Sequence, residues 1–97
     1  MTFFFHPDAE RDIAEAMDFY AEQAGLAVAG RFLDEVERAI RLLVEYPDLG
    51  MPIAAGRRMF PLNVFPYAVV YRRLEDGIRI LIVRHQHRKP AFGRGRR

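Results

Sequence analysis

The chain has 97 residues and a mass of 11.3 kDa, which is one domain's worth and leaves no room for a second core. It is 51% hydrophobic and has no cysteine, so a disordered chain, a disulfide scaffold, a thiolate metal site and a cysteine nucleophile are excluded. The net charge of +2 hides an uneven spread: residues 1–50 hold four Arg against eleven Asp and Glu, whereas residues 51–97 hold eleven Lys and Arg against only Glu75 and Asp76.

Thr2 to His6 is short, aromatic and ends at a proline, which predicts a strand. Pro7 then opens a helix, because its missing N–H and fixed φ suit the first turn, and Asp8, Glu10 and Asp12 complement the helix dipole. Ala9, Ile13, Ala16, Met17 and Tyr20 recur at helical spacing, and Gly25 is placed to stop the run. A second helix is predicted from Leu26 to Tyr46, with Phe32, Leu33, Val36, Ile40, Leu43 and Val44 as its apolar stripe. On its wet side Asp34–Arg38 and Glu37–Arg41 form pairs four residues apart. Gly30 is a poor helix residue and suggests either close approach to the first helix or an uncertain start.

After Tyr46 the period changes. Pro47 to Pro52 is rich in turn residues and reads as a loop. Strands are predicted at Arg57–Leu62, Phe65–Arg72 and Ile78–His85, the last two joined by a hairpin turn at Glu75-Asp76-Gly77. The order is β-α-α-β-β-β. The economical α+β architecture is an antiparallel helix hairpin packed on one face of a small, mainly antiparallel sheet. Residues 1–92 form this single domain, and 93–97 a basic tail expected to be mobile. No apolar run reaches the ~18 residues of a membrane span, and the start lacks a signal-like basic segment, so the expected location is the cytoplasm, with no membrane partner.

Enzyme templates mostly fail. There is no phosphate loop, dinucleotide fingerprint or nucleophile elbow, and serine is absent. His85-Gln86-His87 at the end of the last strand places both imidazoles on one face, but two histidines without a third ligand make a poor metal site, so neither a metal nor a cofactor is expected. The cations are more telling. Ten of the eleven in the second half are Arg, the residue suited to bidentate contact with phosphate and carboxylate. Arg57, Arg58, Arg73, Arg84, Arg88 and Lys89 are the candidates for binding an anionic target.

Three stretches together resemble a known family. They are Phe32–Ile40 followed by Leu42–Gly50, then Tyr67–Arg72 with Asp76–Leu81, and finally His85–Pro90. In order and spacing they resemble the RelE/ParE toxins of type II toxin–antitoxin systems, over about Phe5 to Phe92. The resemblance implies the same β-α-α-β-β-β fold and a small antitoxin that wraps over the toxin in an oligomeric complex. It also implies one of two targets. RelE-like members cleave mRNA on the ribosome with basic residues of the sheet and a late tyrosine, whereas ParE-like members poison DNA gyrase. Here the positions matching the basic residues fall at Ala68 and near Met59 and Pro61, and the late aromatic is Phe92, which has no hydroxyl. The ParE-like branch is therefore expected, with no catalytic residue. On the alternative, ribonuclease reading His85, His87 and Arg88 would carry the chemistry, and a third reading is a domain that has lost toxicity and only binds its antitoxin.

Overall fold

The computed structural model describes residues 2–86. The elements are β1 (Thr2–Phe5), α1 (Pro7–Ala24), α2 (Leu26–Glu45), β2 (Met51–Ile53), a single 3-10 turn (Ala54–Gly56), β3 (Arg57–Pro61), β4 (Tyr67–Leu74) and β5 (Gly77–His85). The order agrees with the sequence reading, with one short strand added. His87, Arg88, Lys89, Phe92 and the tail lie outside the described residues.

Local chemistry explains the helix ends. The His6 side chain caps α1 by accepting the Asp8 N–H at 3.1 Å through Nδ1, and Pro7 follows at the first helical position. Gly25, at φ +96°, ends α1, donates its N–H to the Ala21 carbonyl and begins α2 at once. With one residue between them the helices fold back antiparallel. Ala9, Ile13 and Ala16 from α1, and Ala29, Phe32, Val36, Ala39, Ile40 and Leu43 from α2, are buried.

The sheet runs β1-β5-β4-β3-β2; β1 is parallel to β5 and every other pair is antiparallel. The helices cover one face, where Val69, Tyr71, Ile78, Ile80 and Val83 meet Phe32, Val36, Ile40 and Leu43 in the main core. Between Val70 and Tyr71 the pairing slips, from Ile82 to Ile80, so β5 carries one extra residue. Val70, Leu81 and Ile82 consequently share a second cluster on the outer face, with Ile53 and Met59 against it.

Several expectations are corrected. Met51 and Pro52, read as loop, form β2 with Ile53 and pair with β3; Pro52 is tolerated because β2 is an edge strand. β4 begins at Tyr67, since Phe65 and Pro66 are taken up by tight backbone turns. Gly77 lies inside β5 with an ordinary φ and does not supply a left-handed turn position. Its need is steric: a Cβ there would collide with the Thr2 carbonyl, so glycine lets β1 lie against β5. Gly30 faces open space, so neither close approach nor a helix start accounts for it. Arg38 turns to Glu35 and not to Asp34, with Nε–Oε1 at 2.7 Å and Nη2–Oε2 at 2.9 Å. The half-buried Glu35 carboxylate also accepts the Asn63 N–H, which makes it the better-placed acid.

Candidate functional site

Strand alternation sorts the candidate arginines onto two faces. Arg57, Arg72 and Arg79 are direct cross-strand neighbours, forming one row across β3, β4 and β5 on the outer face. Like charges placed opposite one another repel. Arg57 Nε donates to the Ala54 carbonyl at 3.3 Å and Arg72 Nη2 to the Ala55 carbonyl at 3.0 Å, so the 3-10 turn holds both. Arg57 is only 6% exposed. Arg84 lies on the same face, with Nη2 3.6 Å from Met59 Sδ.

Arg58 and Arg73 point the other way, to the loop after α2. Arg58 Nη1 donates to the carbonyls of Asp48 (3.0 Å) and Gly50 (2.7 Å). Arg73 Nη1 donates to both carboxylate oxygens of Asp48 at 2.8 and 2.9 Å. Tyr71 completes this clamp: its hydroxyl donates to the Pro47 carbonyl at 2.7 Å and accepts the Gly50 N–H at 2.9 Å. Burial raises the Tyr71 phenol above its ordinary pKa of 10.0. The structure thus groups Arg57 and Arg84 with Arg72 and Arg79, and separates Arg58 and Arg73 as residues that hold a loop.

His85 sits on the helix side of β5, its ring 5.2 Å from that of Tyr67. With Asp12, Glu15, Phe19 and Arg84 it lines a cavity of about 150 Å³. Asp12 is 8% exposed and accepts the Val83 N–H at 3.1 Å. β1 ends at Phe5 while β5 runs on to His85, so this carboxylate takes a strand-edge donor that β1 does not reach. Among the described residues, no group of three His, Asp or Glu side chains is placed to hold a metal.

A larger feature was not singled out in the sequence. Phe3 and Phe5 of β1, Ile13 of α1 and Leu33, Val36 and Ile40 of α2 line an open apolar groove of about 470 Å³, with Glu37 and Arg41 at its rim. Phe3 and Phe4 are about 40% exposed on an edge strand that carries neither charge nor proline. An unprotected edge of that kind is a template for another chain. The signal was in the sequence, as three consecutive phenylalanines in a four-residue strand.

Known proteins resemble this chain in sequence and in fold. Residues 3–90 match the family model described as the ParE toxin of the type II toxin–antitoxin system parDE. The Toxin ParE2 proteins of two Mycobacterium tuberculosis strains, CDC 1551 / Oshkosh and ATCC 25618 / H37Rv, are each 29% identical over 85 residues, covering 88% of this chain and 81% of theirs. A chain from the chromosomal ParDE TA system of P. aeruginosa superposes with a TM-score of 0.78 at 22% identity, over 88% of this chain and 95% of that one. The match spans both helices and all five strands, and the chain belongs to the ParE toxin family of type II toxin–antitoxin systems.

Proposed function

We propose that the chain inhibits DNA gyrase by protein–protein contact in the cytoplasm and is neutralised by a small cognate antitoxin. The observation that carries the choice of target is the character of the outer face. There Met59 opposes Val70 and Pro61 opposes Ala68, beside the buried cluster of Val70, Leu81 and Ile82. A nuclease on this sheet needs cations on the scissile phosphate and a proton donor for the leaving oxygen. The positions that the resemblance assigns to basic residues fall at Ala68 and near Met59 and Pro61, whereas the arginines of this face, Arg57, Arg72, Arg79 and Arg84, stand at other positions on it. His85, the described member of the alternative ribonuclease set, faces α1 on the other side.

The antitoxin reading rests on the apolar groove and the charge pattern. A segment that orders on binding must bury a large surface to offset its lost entropy. The β1–α1–α2 groove offers such a surface, and acidic residues on the same segment would relieve the repulsion in the Arg57–Arg72–Arg79 row. The test is supercoiling of relaxed plasmid by purified gyrase at increasing concentrations of this protein. Loss of supercoiling with accumulation of cleaved DNA, reversed by the antitoxin, is the expected result. Unchanged supercoiling together with codon-phase mRNA cuts in a translation reaction would move the chain to the ribosome-dependent nucleases.

A further inference from the structure

The loop between β3 and β4 contains an anomaly that neither the core nor the groove explains. Val64 has φ +71°, a left-handed conformation that is sterically costly for a β-branched residue. The Phe65 N–H donates to the Asn63 carbonyl at 2.7 Å, closing a three-residue turn around Val64 in its rare, strained form. The flanks are fixed on both sides. The Asn63 N–H donates to Glu35 Oε2 at 2.5 Å, and Glu35 is in turn held by Arg38. Phe65 packs into the core, its ring 5.1 Å from Tyr20 and 5.3 Å from Phe32. The Leu62 N–H donates to the Tyr67 carbonyl at 2.8 Å and closes the loop.

Val64 itself touches little: it is 96% exposed, the most exposed large apolar side chain among the described residues. Folding gains nothing from an isopropyl group there, and asparagine or glycine would satisfy the turn at lower cost. Strain held in place by its surroundings is characteristic of binding sites. Beside Val64 runs a depression of about 450 Å³ where Arg31, Arg38 and Arg41 outnumber the acids Asp34 and Glu35, with Phe65 at its edge. Arg38 is committed to Glu35, whereas Arg31 and Arg41 make no ion pair with any described residue.

The geometry points to Val64 as a rigid knob that enters an apolar socket, rimmed by carboxylates, on a folded partner protein, with Arg31 and Arg41 meeting the rim. The shape selects the class of partner. A disordered antitoxin segment supplies side chains to a groove, whereas a convex, preorganised residue needs a preformed cavity opposite it. We therefore assign the knob to the toxin's protein target and the groove to the antitoxin. The assignment rests on the proposed function for the identity of the target only.

The experiment compares wild type with Val64→Asn, which keeps the turn and removes the apolar group, and with the charge reversal Arg31→Glu/Arg41→Glu. Purified variants are melted and titrated with the antitoxin, and each chain is expressed alone in cells at graded, measured levels. The knob predicts that Val64→Asn melts no lower than wild type and binds the antitoxin within about twofold, yet needs roughly tenfold more protein to arrest growth, the scale of losing one buried valine side chain. The double reversal should act in the same direction. Equal potency of Val64→Asn and wild type overturns the proposal, as does a parallel loss of antitoxin affinity, which would give the loop to the antitoxin. A lower melting temperature would make Val64 a structural residue and overturns it too. Wild-type chain that arrests growth but leaves gyrase supercoiling intact refutes the choice of gyrase, and the potency comparison still judges the knob. Wild type that does not arrest growth overturns both.

Discussion

Replacing Tyr71 by phenylalanine removes one oxygen and tests how the loop after α2 is held. The ring is fully buried, and phenylalanine preserves its packing. What is lost is a pair of hydrogen bonds, one given to the Pro47 carbonyl and one received from the Gly50 N–H. A net hydrogen bond is worth about 0.5–1.5 kcal/mol, and a buried donor left without an acceptor costs about 1–3 kcal/mol. The two effects together predict a loss of about 2–3 kcal/mol. For a chain of this size each kcal/mol lowers Tm by about 4–8 °C, so the melting point should fall by roughly 10–20 °C. Urea titration should show a lower midpoint with an unchanged slope, because the buried surface is the same. Exchange of the Gly50 amide should accelerate more than that of amides in β4 or β5. A loss below about 0.5 kcal/mol would refute the clamp, since water would then serve both loop groups as well as the hydroxyl does.

Three further substitutions and a pH profile probe the same reasoning. Gly30→Ala should stabilise by about 0.5–1 kcal/mol in urea melts, because a Cβ there meets nothing and glycine costs that much inside a helix. Gly77→Ala should destabilise by about 2 kcal/mol or more, as the methyl group drives β1 away from β5, with the loss visible in the near-ultraviolet signal of the phenylalanines. Gly50→Ala places a Cβ 2.6 Å from the Tyr71 hydroxyl and 2.7 Å from its ring and should cost about 1–3 kcal/mol by the same melt. On the acid side, the Arg38 hydrogen bonds hold Glu35 below the ordinary carboxylate range. Its stabilisation is therefore present above that range and lost as pH falls through the lowered value, and Glu35→Gln should flatten that limb. On the basic side, burial raises Tyr71, so its contribution is intact below pH 10.0 and lost as pH climbs through the raised value; Tyr71→Phe should remove this dependence.

The parts of the fold that were legible in the sequence are those with a strong period. The stripe of Phe32, Val36, Ile40 and Leu43 on α2 and the alternation of Val69 and Tyr71 are carried by many residues acting together. Single-residue signals were weaker. Gly77 reads as a turn glycine beside Asp76, yet its purpose is contact with Thr2, seventy-five residues away in sequence. The Asp34–Arg38 spacing is as good as Glu35–Arg38 on a helix, and only the Asn63 N–H arriving from another element decides between them.

Charge composition located the cations but not their faces. Arg58 and Arg57 are neighbours in sequence and therefore point to opposite sides of β3, one to the loop at Asp48 and the other to the outer row. Arg73 follows Arg72 in the same way. A count of arginines sums the two sets; the strand register separates them. The groove is hidden in the sequence for a related reason. Phe3, Phe5, Leu33 and Ile40 have the composition of core residues, and only the edge position of β1 turns that part of the core into an open surface.

The chain is a ParE-family toxin, and its proposed action on gyrase under restraint by an antitoxin can be read in living cells. The most direct measurement is the topology of a reporter plasmid in cells expressing the chain alone, against cells that also express a cognate antitoxin. The account predicts arrested growth with gyrase-linked DNA breaks and loss of negative supercoiling in the first culture, and normal growth and topology in the second. Folded protein at high level, with plasmid topology and growth indistinguishable between the two cultures, would contradict it.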